Sequence, residues 1–154
     1  MDMVRMLTIA IAAAGVAVAA DFSIQVGNPV AANAVNPQKV KASVMAVRAQ
    51  GCADPGKARF MGTAVRGSGN SRESAALAFI EGTPAGSFAV VGGWPPGGAW
   101  LAVITGDCQG STAGALIPVN AQGSYVREAS KFFNHAPTDA EMETVMKTVM
   151  GGLR

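Results

Sequence analysis

The sequence predicts an all-β protein: one antiparallel β-sandwich of six or seven short strands, preceded by an export signal and followed by a short amphipathic helix. Three observations carry that expectation. Between residues 39 and 120, short stretches of alternating apolar character recur between clusters of Gly, Pro, Asn, Asp and Ser, as in antiparallel sandwiches. An apolar run over residues 7 to 20 ends in small side chains. Beyond residue 137 the apolar period lengthens from two to that of a helix.

A chain of 154 residues has room for one domain once a leader is removed. Charged residues make up 14% and apolar ones 49%, but much of the apolar share is alanine and only 6% of residues are aromatic. That composition implies a thin core, which would gain from a covalent staple. The net charge of +2 gives no general affinity for nucleic acid or membrane surfaces. The charge is unevenly spread: Lys39, Lys41, Arg48, Lys57, Arg59, Arg66 and Arg72 face only Asp54 across residues 39 to 72.

Residues 1–20 are expected to be a signal peptide. Arg5 precedes the run LTIAIAAAGVAVAA, which is too short for a comfortable membrane span. Small residues at Ala17, Ala19 and Ala20 suit cleavage after Ala20, and the absence of a following cysteine argues against a lipid anchor. A retained membrane helix is the alternative, with no stable transmembrane span left after cleavage. Residues 21–38, with two Asn-Pro pairs, read as a linker holding at most a short edge strand at Phe22 to Val26.

The β-sandwich is assigned to residues 39–120. Lys39 to Gln50 alternates Val40, Ala42, Val44 and Ala46 against Lys41, Ser43, Met45 and Val47. Lys57 to Arg66 places Ala58, Phe60, Gly62 and Ala64 on one face, and Glu73 to Ile80 places Ala75, Leu77 and Phe79 together. These two are expected to form a hairpin. Phe88 and Val90 share a face in Ser87 to Val91, and Trp100 to Thr105 suits a central strand. Ala113 to Val119 aligns Ala115, Ile117 and Val119, and Pro118 puts that strand at a sheet edge or strand end.

Residues 121–137 read as a connecting segment and 138–151 as an amphipathic helix. Thr138 with Glu141 three positions on forms a capping box, and Met142, Val145, Met146, Val149 and Met150 fall at helical spacing. A helix this short must lay its methionine face on the sandwich, another subunit or a partner.

Cys52 and Cys108 are the two cysteines, and pairing is the simple reading for an exported chain. Closing that loop contributes roughly 4 kcal/mol on the chain-entropy account. A free redox thiol or a metal site would need a C-x-x-C pair or nearby histidines, which the sequence lacks. A cysteine, a tryptophan and a second cysteine in a β-rich chain resemble an immunoglobulin-like sandwich over residues 39 to 120. Trp94 and Trp100 lie nearer the second cysteine than that pattern has them, and Gly106 stands where a tyrosine is expected. A transthyretin-like or other seven-stranded Greek-key sandwich fits equally.

No motif demands chemistry. His135 is the single histidine, which leaves no triad or multi-histidine metal site within one chain. Gly110 to Gly114 has Thr112 where a nucleophile elbow has serine, and Gly67-Ser68-Gly69 lacks the lysine of a phosphate loop. Asp54, Glu73, Glu81 and Asp107 are scattered. Met142, Met146 and Met150 could serve Cu(I), but packing explains the same spacing. Trp94, Trp100 and Arg59 are the candidate binding residues, as a platform for a sugar ring or an extended peptide. The expected function is a non-enzymatic binding or interaction module, secreted or periplasmic, for an unknown protein or cell-envelope ligand. No cofactor, metal or nucleic acid is expected. The alternative is an assembly subunit that self-associates through its helix or edge strands.

Overall fold

The computed structural model describes residues 21–29, 42–67, 69–95 and 97–153. The expected signal peptide and half of the linker lie outside these residues. The strands are β1 (Ser23–Gly27), β2 (Met45–Gln50), β3 (Arg59–Arg66), β4 (Glu73–Glu81), β5 (Ser87–Gly92), β6 (Trp100–Cys108), β7 (Ser111–Val119) and β8 (Lys131–Phe133), followed by helix α1 (Asp139–Thr148). They form one eight-stranded sheet in the order β1-β2-β5-β4-β3-β6-β7-β8, with every pairing antiparallel. Because β1 also lies against β7 and β8, the sheet curls into a nearly closed barrel. The expected sandwich, immunoglobulin-like or transthyretin-like, is therefore incorrect.

Strand β4 is the reason. Its first half, Glu73–Ala76, pairs with β3, and its second half, Leu77–Glu81, pairs with β5. A sandwich requires two sheets with no ladder between them, and β4 changes neighbour midway to join them into one. Strands β3, β4 and β5 follow one another in space, with β2 beside β5 and β6 beside β3, so two Greek keys overlap.

The interior explains the alanine-rich composition. Met45, Val47, Leu77, Val90, Trp100, Ile104 and Ile117 fill the bore, while Ala64, Ala102, Ala113 and Ala115 line its wall. Eight strands enclose a space that side chains just fill, so large residues on one wall need small ones opposite. Beyond the β3–β4 ladder, the Phe60 ring stacks on Phe79 at 6.1 Å and meets Phe88 edge-on at 5.3 Å. A side chain at Gly106 would place its Cβ 2.8 Å from the Phe60 ring, so only glycine fits beneath that cluster.

A second core lies outside the barrel. The outward residues Val65, Leu101 and Leu116 are covered by Val145 and Met150, with Met142, Met146 and Phe133 packed around them. Strand β7 is thus buried on both faces, which is why it reads as a nearly continuous apolar run. The capping box at the start of α1 is present: Glu141 N–H donates to Thr138 Oγ1 at 3.2 Å and Thr138 N–H to Glu141 Oε2 at 2.8 Å.

Two local expectations need correction. In β2 the buried face is Met45, Val47 and Ala49, the opposite of the face chosen from Val44 and Ala46, because pairing with β1 and β5 aligns them with the inward Val26, Phe88 and Val90. The short edge strand expected at Phe22 to Val26 is present as β1, which pairs along β2, but β8 lies within the expected connecting segment, where no strand was foreseen. Strand β7 is flanked on both sides, and Pro118 sits at the strand end, the second of the two places expected for it. Pro118 is tolerated because its carbonyl accepts from Val126 N–H at 2.8 Å, so its ring nitrogen faces the side where the β7–β8 ladder has ended.

Candidate functional site

The two ends of the barrel differ. At one, Cys52 in the β2–β3 connection bonds to Cys108 at the end of β6, with Cα atoms 6.0 Å apart. In sheet order β5, β4 and β3 stand between β2 and β6, so the crosslink crosses the barrel mouth. Arg59 starts β3 at this end, and its Nη1 donates to the carbonyls of Gly56 at 3.2 Å and Ala58 at 2.9 Å.

Trp94 and Trp100 occupy the other end. Trp100 is 2% exposed, and Trp94 stacks on it at 5.9 Å with the planes 25° apart. The guanidinium of Arg66, not Arg59, lies 4.5 Å from the Trp100 ring centre, paired with Glu73 and donating to Gly97 O at 3.2 Å. Glycine at 92 lets Trp94 fold back, since a Cβ there would lie inside the indole ring. The structure brings the two tryptophans together as a half-buried plug and leaves Arg59 at the far end of the barrel.

The remaining candidates are engaged in structure. Met150 is buried and Met142 and Met146 are half-buried in the second core. His135 Nε2 lies 2.9 Å from Glu141 Oε1 and its Nδ1 lies 3.1 Å from Asn134 Oδ1. The Glu141 carboxyl is held below its ordinary range, first by the Thr138 backbone N–H and then by the His135 hydrogen bond. Among the described residues no group of three or more His, Cys, Asp or Glu gathers as metal ligands would.

A site that sequence reasoning missed lies on the outer wall of β1, β2, β5 and β4, the half of the barrel that α1 leaves uncovered. A groove of about 420 Å³ opens there. Pairing aligns Gly27, Ala46, Ala89 and Ile80 in one row across its floor, and Gln25, Arg48 and Ser87 in the next. The turn Gly82–Pro84, with a cis peptide before Pro84, forms one rim, and Asn28 and Arg127 form another. Among the described residues no Asp or Glu lines the groove.

The arginines divide sharply. Arg59, Arg66 and Arg72 are each held by carbonyls or carboxylates. Arg48 and Arg127 make no side-chain hydrogen bond or ion pair among the described residues, and both line this groove. The alternation of Ala46 and Arg48 along β2 was the available signal, but it pointed here only once the face of β2 was known. Comparison with protein-family models, with curated proteins and with solved structures finds no match to this chain.

Proposed function

We propose that this chain is an exported, non-enzymatic binding module of the periplasm or cell envelope, with the β1–β2–β5–β4 groove as its ligand site. The supporting observation is the convergence of two unpaired guanidiniums on one acid-free cavity with an apolar floor. Its volume falls within the roughly 300–1,000 Å³ of small-ligand sites. Among the described residues the groove is lined by no carboxylate, histidine or cysteine, the side chains that most often transfer protons near neutral pH. The disulfide and the apolar run at residues 7 to 20 support export, since such crosslinks persist in oxidising compartments. Among the described residues no helix is long and apolar enough to cross a membrane.

The test is a titration of the isotope-labelled chain with a mixed library of short peptides, followed by amide resonances. Shifts confined to Gly27, Ala46, Arg48 and Ala89 are expected. Shifts scattered over the barrel, or none, would sink the reading. Self-association is the second reading, favoured by Phe132, which stays 46% exposed on the short edge strand β8. A mass that rises with concentration and falls back on Phe132→Ala would establish it.

A further inference from the structure

We infer that the groove's ligand is a short extended peptide segment carrying two carboxylates separated by small apolar residues. This rests on the reading of the groove as the binding site. Arg48 stands level with Gln25 and Ser87, whereas Arg127 stands beside Asn28, past the end of β1. The two cations therefore flank the Gly27–Ala46–Ala89 floor. A ligand that satisfies both must present an anion at each end and an apolar body between them.

Charge complementarity selects the acid. Two guanidiniums without counter-charge in one cavity repel each other, and a carboxylate beside each relieves that and forms charge-assisted hydrogen bonds. The shape selects an extended backbone. The floor carries no large outward side chain apart from Ile80, so a main chain can approach the sheet closely. Gln25 and Asn28 on the exposed rim offer amide donors and acceptors to a peptide backbone.

The experiment measures fluorescence anisotropy of the oxidised chain with a blocked, labelled peptide Glu-Ala-Val-Ala-Glu and with its Gln-Ala-Val-Ala-Gln twin. The acidic peptide is expected to bind at least tenfold more tightly than its twin, and more weakly as salt rises. Arg48→Gln and Arg127→Gln are each expected to weaken it roughly tenfold, the effect of one charge-assisted contact. Lys147→Gln, on the exposed side of α1 across the barrel, should change nothing, and thermal melts confirm that each variant is folded. Equal binding of the twins overturns the acid requirement and leaves the groove reading standing. Displacement by suberate, a dicarboxylate without a peptide backbone, at the affinity of the peptide overturns the peptide assignment. If neither peptide binds, the inference fails, and the amide titration above decides separately whether the groove is a site.

Discussion

Arg72, in the connection between β3 and β4, pairs with Glu143 of α1 across 71 positions of chain, and the same guanidinium lies 4.0 Å from Asp139. This contact fastens the polar flank of the helix to the barrel, while Val145 and Met150 hold its apolar face. Both partners are partly exposed, so solvent screens the attraction. A double-mutant cycle with Arg72→Ala and Glu143→Ala should give a coupling of about 0.5–1 kcal/mol in denaturant unfolding. Hydrogen exchange in α1 should quicken in each single variant while β6 and β7 stay protected. Additive effects with unchanged exchange would mean the pair does not anchor the helix.

Gly92 is required by Trp94 rather than by a turn. Gly92→Ala pushes the indole off Trp100 or shifts the backbone, and overpacking of this kind costs about 1–3 kcal/mol. Near-ultraviolet circular dichroism should lose the signal of the stacked tryptophans. An unchanged spectrum and midpoint would show that Trp94 does not rest on Gly92 in solution.

The start of α1 is acid-sensitive in a definite direction. The Glu141 carboxyl lies below its ordinary value of 4.5, so its contribution is present above that value and is lost as pH falls through the lowered one. Stability measured between neutral pH and about pH 3 should decline less steeply in Glu141→Gln than in the parent chain. Parallel curves would show that this carboxylate is not linked to folding.

The crosslink spans a sequence separation of 56 residues, and a loop of that length corresponds to about 4 kcal/mol. The double variant Cys52→Ser/Cys108→Ser should lose up to that amount and keep its far-ultraviolet spectrum. A loss below about 1 kcal/mol would mean the barrel closes without its staple.

Much of the fold was legible locally. The inward faces of β3, β4 and β5 follow from apolar residues at every second position, as with Ala75, Leu77 and Phe79, whereas β7, covered on both sides, is apolar throughout. The helix start follows from Thr138 and Glu141, because a capping box involves only neighbouring residues. The disulfide follows from cysteine count and expected compartment. The phase of β2 was not legible, because Val44 and Val47 fit opposite faces equally and only the register with β1 and β5 decides between them. Strand β8 has three residues, too few to show a period. The groove was missed because its parts come from β1, β2, the β4–β5 turn and the segment before β8, which no sequence window contains.

By itself, the sequence determined that the chain is β-rich, that its strands have one inward and one outward face, that one capped helix follows them, and that its two cysteines can pair. Only the tertiary structure decided that the strands form a barrel, that the helix covers one half of its wall, and that Arg48 and Arg127 line one groove on the other. The reason is that alternation records which side of a strand avoids water and nothing about its neighbours. The partner change at β4 rests on pairing with two different strands, and no local pattern encodes that choice.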